Sequence, residues 1–346
     1  MKKCVMIVFI VILLICSCYA ISFARSLPDL FIRSTVFIHN KSTDTTGTGF
    51  LVRRDINEKG DWQLVLISNK HVLMPKDIPA ETKDKKAVAT FSLNMSGTSG
   101  VTRRDIIVPL RESDGTLLVK THPNKDVDVA GVVLPPENVF PGDIVRDGSM
   151  LNPIPEDRIM TKEMIKDNFI TLGDTVLLLG YPLNMVESGN VIPIARGAVL
   201  ATSPRDDFRG TPMFLIDGTI VRGSSGSPVF IPMSSSKWIE EMKVDPFKVQ
   251  QSYLIGIVAA TVKDWELIIR RTVMVGAPLE ELTVLDTANL GIVYRGDCII
   301  DVLNILCSPK WTKENKLSAE TDVKKNDSKE TDQKKCGVVS IIFSKS

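Results

Sequence analysis

Residues 221–230 read VRGSSGSPVF, with two glycines, three serines and a proline set between apolar neighbours. A serine in such a stretch can act as a nucleophile only if an imidazole stands ready to take its proton, because an unassisted hydroxyl attacks a carbonyl carbon poorly. The same letters also describe an ordinary tight turn, since Gly tolerates positive φ and Ser bonds its own backbone. Composition alone favours the turn. The chain has three histidines, His39, His71 and His122. No two are spaced as a helical metal pair and no cysteine pair adjoins them, so no metal site is expected. His71 follows a strand-like run in LISNKHVLM, a place where a lone histidine is usually a partly buried polar group.

The neighbouring motifs change this balance. GTGFLV (47–52) precedes His71, DVDVAGVVL (126–134) supplies two carboxylates, and GSSGSP (223–228) follows much later. The order His, Asp, Ser with a GxSGxP box resembles the chymotrypsin-fold serine peptidases, most closely the high-temperature-requirement and related trypsin-like peptidases of secreted compartments. That resemblance implies His71 as general base, Asp128 as the carboxylate that orients it and Ser225 as nucleophile. An imidazole with an ordinary pKa near 6.5 can accept the hydroxyl proton, and the carboxylate fixes its tautomer and stabilises the imidazolium. Asp126 competes with Asp128, because residues two apart on an extended strand face the same side. The aliphatic-Ala pair that follows position 128 decides for Asp128. The amides of Gly223 and Ser225 are implied as the oxyanion hole, and Ala259, Ala260 and Thr261 in YLIGIVAAT (253–261) match the strand that pairs with substrate backbone.

The pattern is not followed everywhere. Ser224 stands where digestive proteases carry an aspartate that pairs with a newly cut N-terminus, so activation of that kind is not expected. Ser227 replaces a glycine, as in glutamyl endopeptidases, yet GIVAAT lacks the histidine those enzymes use. Thr219 lies six residues before Ser225, where preference for a basic P1 residue needs an aspartate. A basic P1 residue is therefore not favoured, and the small side chains of Ala259, Ala260 and Thr261 imply an open pocket for small or apolar P1 residues. Arg222, beside the oxyanion turn, is either a solvated surface charge or an attractor of acidic flanking residues.

These side chains lie far apart in sequence and need a scaffold. Short runs rich in Val, Ile, Phe and Thr recur from about residue 34: STVFIH, TGFLVR, WQLVLIS, AVATFSL, DIIVPL, GTLLVK and VDVAGVVL. A second series comprises DTVLLLG, ARGAVLAT, MFLID, SPVFI, SYLIGIVAA and RTVMVG. Two groups of this kind predict an all-β fold of two antiparallel six-stranded barrels, one over 28–140 with His71 and Asp128 and one over 171–306 with Ser225. Residues 141–170 are richer in Pro and charge and read as the connection, and DCIIDVLNIL (297–306) reads as a short C-terminal helix.

At the N-terminus, Lys2 and Lys3 precede the apolar run VMIVFIVILLI (5–15). Residues 1–24 read as a secretory signal peptide cut after Ala20 or Ala24, or as an uncleaved anchor. Residues 307–346 are charged and poor in aromatics, which predicts a disordered tail, too short for the appended peptide-binding PDZ domain of many relatives. Cys4, Cys16 and Cys18 fall in the leader, leaving Cys298, Cys307 and Cys336, too few and too late for a disulfide framework, though a Cys298 to Cys307 bridge stays open. Asn40, Asn94 and Asn326 head glycosylation sequons. With 42 basic against 41 acidic residues, the net charge of +1 gives no field for a polyanion, so nucleic acid is excluded as a partner. The resulting expectation is an exported, cofactor-free serine endopeptidase acting on protein or peptide substrates, secreted or periplasmic. An inert peptide-binding module of the same fold, or an esterase using the same triad, is the alternative.

Overall fold

The computed structural model describes residues 29–40, 44–56, 62–74, 86–94, 101–112, 114–134, 153–185, 192–232, 252–261, 267–272, 281–286 and 289–307. The expected leader, the connection as far as residue 152, the charged tail after Cys307, Cys336 and Asn326 lie outside them. No helix among the described residues is long and apolar enough to cross a membrane.

The N-terminal half begins with helix α1 (Asp29–Ser34) and runs through β1 (Thr35–Asn40), β2 (Thr45–Asp55) and β3 (Trp62–Ser68). A one-turn helix α2 (Lys70–Leu73) follows, then β4 (Lys86–Asn94), β5 (Val101–Pro109), β6 (Lys120–Thr121), β7 (Ala130–Val133) and β8 (Ile154–Pro155). Seven of these strands form one sheet in the order β5-β4-β1-β2-β3-β7-β6, with β8 lying parallel on β2. The run GTLLVK is strand-like in composition, but only its last residue enters β6. Gly115 takes φ +92° and the Thr116 amide donates to Asp114 Oδ1 at 2.7 Å, so a turn claims this stretch before a ladder can.

The C-terminal half contains α3 (Lys162–Asp167), β9 (Thr175–Gly180), β10 (Ile194–Leu200), β11 (Met213–Asp217), β12 (Pro228–Ile231) and β13 (Tyr253–Thr261). It continues with β14 (Leu267–Thr272), β15 (Glu281–Asp286), β16 (Leu290–Arg295) and α4 (Gly296–Leu306). Six strands close a barrel in the order β10-β11-β16-β13-β12-β9, while β14 and β15 pair with each other. The chain is thus all-β, and its described residues form one closed six-stranded barrel, a second large sheet, the separate β14–β15 pair and a short C-terminal helix. In the ladder between β13 and β16, Val258 pairs with Val293 and Ala260 with Ile292, leaving Ala259 as the extra residue of a bulge.

Among the described residues, three apolar cores hold this arrangement. One fills the N-terminal sheet around Ile38, Leu51, Leu66 and Val132, and one fills the barrel around Val176, Phe214, Ile255 and Val293. The third joins the halves: Phe50 and Ile67 share it with Leu179, Phe230 and Ile257, with Phe31 of α1 and with Ile299, Val302 and Leu303 of α4. Phe31 and Phe230 pack with ring centroids 4.1 Å apart and planes tilted by 43°. Each such side chain contributes about 1.5–3 kcal/mol on leaving water, so the two halves are welded by burial.

Cys298 and Cys307 are both free thiols buried in this third core, so the bridge left open by the sequence is not formed. Burial pushes the Cys298 thiol up to about 12 and the Cys307 thiol up to about 11. At pH 8 their thiolate fractions are on the order of one in ten thousand and one in a thousand. Iodoacetamide at pH 8 should therefore leave both unmodified in the folded protein and modify both in urea, as read by peptide mass mapping. Alkylation of either at the unfolded rate without denaturant would contradict the packing.

Candidate active site

The histidine segment is built to aim one side chain outward. In SNKHVL, Val72 and Leu73 are fully buried in the N-terminal core, which turns His71 to the opposite face of α2 with its side chain 44% exposed. The Asn69 carbonyl accepts from the amides of Val72 and Leu73, closing the turn. Asn40 on β1 donates its side-chain amide to the carbonyls of Val72 and Leu73, both at 3.3 Å, pinning the helix from below. That buried Asn40 heads one of the sequons, and its amide is already engaged by the fold.

Asp128 meets this helix from the segment before β7. Val127 and Val129 on either side are fully buried, so alternation sends Asp128 to the other face. One carboxylate oxygen accepts from the His71 amide at 3.1 Å and the other lies 2.5 Å from His71 Nδ1. The Asp128 carbonyl accepts from the Asn69 side chain at 2.7 Å. Two anchors on one carboxylate fix the ring's rotation, and Nε2 is left without a partner among the described residues. Asp126 is not brought to His71. Its amide donates to Asn124 Oδ1 and its carbonyl accepts from the Tyr294 hydroxyl at 2.7 Å. The other histidines serve elsewhere, His39 beside Asp44 at 2.8 Å and His122 beside Asp301 at 3.1 Å. Among the described residues no group of three or more His, Cys, Asp or Glu side chains gathers as metal ligands.

The serine turn is set by glycine and by a threonine. Gly223 and Gly226 take φ +89° and +85°, and a Cβ on them would overlap the carbonyls of Tyr181 and Thr48 respectively. The Ser224 amide donates to Val221, the Ser227 amide to Ser224 and the Gly226 amide to Val258. Thr48, in the GTG of β2, donates its amide to the Ser225 carbonyl at 2.8 Å and its hydroxyl to the Gly223 carbonyl at 2.9 Å. With the carbonyls of Gly223 and Ser225 taken by Thr48, the amides of Gly223 and Ser225 have no partner among the described residues and are available to an oxyanion.

The serine turn and the helix that carries His71 both border Gly47. A Cβ there would sit 2.7 Å from Val72 Cγ2, next to His71, and 3.3 Å from the Ser225 carbonyl. The Ser225 hydroxyl nevertheless donates to the Ala259 carbonyl at 3.0 Å, and no hydrogen bond joins it to His71 among the described residues. Ala259 is the bulge residue of β13, its side chain packed in the third core. It therefore meets the site through its carbonyl, and does not widen a pocket with a small side chain. Ala260 and Thr261 continue β13, their side chains lying outside the described residues. Thr219 is exposed with its carbonyl taken by Arg196, and Arg222 is exposed with its carbonyl accepting the Leu183 amide at 2.7 Å.

Three residues of the site go unassigned by the motifs: Thr48, Asn69 and Arg196. The small residues around Thr48 were a signal, since Gly47 and Gly49 both sit where a Cβ would strike neighbours. The letters alone do not reveal the long-range partners.

Gly226→Ala must strain both φ and packing, and should lower stability by about 3–5 kcal/mol in urea unfolding. Gly210→Ala, with φ +74° but no atom within 4 Å of the added Cβ, should cost only about 1–2 kcal/mol. Equal unfolding midpoints for the two variants would refute the close approach at Gly226.

The sequence pattern of the trypsin-like peptidase domain matches residues 47–233. Among solved structures, the crystal structure of Deg5 is similar at 17% identity with a TM-score of 0.39, over 67% of this chain and 83% of that one. No curated protein sequence matches the chain.

Proposed function

Since the chain belongs to the trypsin-like peptidase domain family, we propose that it is an exported serine endopeptidase working through Ser225, His71 and Asp128. The observation that carries this reading is the doubly anchored His71–Asp128 pair on a segment that meets the glycine-flanked Ser225 turn at Gly47. His71 Nε2 takes the Ser225 proton while Oγ bonds to the scissile carbonyl carbon. The resulting oxyanion faces the Gly223 and Ser225 amides, donors typically worth about 2.7–4 kcal/mol each. Collapse breaks the C–N bond, His71 returns the proton to the leaving amine, and water then hydrolyses the acyl ester by the same route. The substrate lies as an extended strand along β13. A substrate amide bonding to the Ala259 carbonyl would take the acceptor that Ser225 now uses, and so release the hydroxyl toward His71. A protein or peptide substrate follows from the family, and export rests on the character of residues 1–24.

One observation favours a second reading. The Ser225 hydroxyl is bound to Ala259 and not to His71, which is compatible with an inert peptide-binding module. Fluorophosphonate labelling separates the two. The native chain should be labelled, Ser225→Ala and His71→Ala should not, Asp128→Asn should label roughly 10³–10⁴-fold more slowly, and Asp126→Asn should label at nearly the native rate. A native chain that resists the probe, or a labelled Ser225→Ala, would refute the proposal. Casein against short p-nitrophenyl esters then distinguishes peptidase from esterase.

A further inference from the structure

Arg196 lies on β10, paired with Leu178 of β9, and its guanidinium reaches across to the segment that leads into the serine turn. Nη1 donates to the Thr219 carbonyl at 2.5 Å and Nη2 donates to Ser224 Oγ at 2.6 Å. The Ser224 side chain is fully buried, so without this donor its hydroxyl would lose the hydrogen bond that compensates for its removal from water. The two anchored atoms stand five residues apart and bracket the Val221–Ser224 turn, which is closed by one backbone bond at 3.0 Å. Ser224 is also the residue between the two amides that face the proposed oxyanion. Anchoring its side chain restrains the Ser224–Ser225 peptide that carries the Ser225 amide, while the anchored Thr219 carbonyl holds the segment that leads into the Gly223 amide.

Both bonds come from one rigid, planar group that can serve two acceptors at once, a geometry a lysine ammonium on a flexible stem does not reproduce. Arg196 Nε is itself buried without a partner, a cost retained in a position whose other two nitrogens are both engaged. Burial lowers the guanidinium's pKa from its ordinary value, in keeping with a cation drawn partly out of water.

We propose that Arg196 is a positioning residue that holds the Gly223 and Ser225 amides in the geometry that receives an oxyanion, by clamping Thr219 and Ser224 from β10. It touches no reacting atom. The proposal rests on the hydrolase reading above, and it assigns the preformed state of the turn to a residue within the folded barrel.

The experiment compares the native chain with Arg196→Met, Arg196→Lys and Ser224→Ala. It reads the second-order rate of fluorophosphonate labelling, kcat and KM on a p-nitrophenyl ester, the thermal midpoint, and hydrogen exchange of a peptide covering 221–227. In labelling, the Oγ–P bond forms, fluoride leaves and the phosphoryl oxygen enters the same hole, so the rate reports on donor geometry. Arg196→Met should slow labelling roughly 30- to 300-fold and lower kcat by a similar factor with KM little changed, while exchange of 221–227 quickens. Arg196→Lys should recover about tenfold of the lost rate, since an ammonium can serve one of the two acceptors. Ser224→Ala, which keeps the arginine and removes one of its two acceptors, should slow labelling about tenfold and add little more slowing when combined with Arg196→Met.

Native labelling and exchange rates in folded Arg196→Met would overturn the clamp. A Lys variant as slow as the Met variant would do the same, as would native labelling in Ser224→Ala if the Met variant fails to fold. If the native chain takes no label at all, the hydrolase reading fails, and exchange of 221–227 alone then decides whether Arg196 holds the turn.

Discussion

Thr48 is the residue on which the two halves of this molecule agree. Its amide holds the Ser225 carbonyl, its hydroxyl holds the Gly223 carbonyl and accepts the Tyr181 amide, and its own carbonyl accepts from Ser68 at the end of β3. Every polar atom of one side chain and its backbone is thus spent tying the serine turn of the second half to the strand that launches the histidine of the first. Each bond is modest, about 0.5–1.5 kcal/mol net. Together they set the register in which two distant loops face one another, because the Gly226 φ of +85° and the absence of room for a Cβ leave the turn no other way to sit on Thr48.

That register would not persist without the third core. Hydrogen bonds specify direction but are individually replaceable by water, whereas the Phe50, Ile67, Phe230 and Ile257 cluster loses contact as a unit if the halves part. Helix α4 completes the weld from the C-terminal end, and it is fixed to its own half by Arg295. That buried guanidinium donates to Asp297 at 2.5 Å and to Asp207 at 2.9 Å. On the other flank Arg54 of β2 reaches Asn304 of α4 at 2.8 Å and lies 3.4 Å from the Glu156 carboxylate. Burial thus supplies most of the holding force, and these charge pairs select the orientation in which it acts.

How much of this was legible in the sequence follows from the range of each interaction. The strand runs WQLVLIS, MFLID and SPVFI and the helix at 297–306 were readable, because alternation and helical spacing are local properties. GTLLVK was not, since a positive-φ glycine and an Asp side chain overrode its strand-like composition. The three motifs pointed to His71, Asp128 and Ser225, and the structure brings Asp128, not Asp126, to the imidazole. Thr48 and Arg196 stayed hidden: nothing within five residues of Arg196 indicates that its guanidinium will bridge Thr219 and Ser224. Long side chains that serve backbone acceptors across a barrel leave no periodic trace.

The bulge at Ala259 shows why the resting serine sits as it does. A regular ladder would point successive carbonyls alternately toward β12 and β16, both already paired. Skipping one residue between Val258 and Ala260 turns the Ala259 carbonyl out of the ladder and toward Ser225. A buried carbonyl outside the ladder needs a donor, and the Ser225 hydroxyl supplies it. The acceptor that an extended peptide strand would use and the acceptor that holds the hydroxyl are then one atom. Under the proposed function, a bound peptide would compete for that atom and free Ser225 toward His71, at a cost of about one ordinary hydrogen bond exchanged for another.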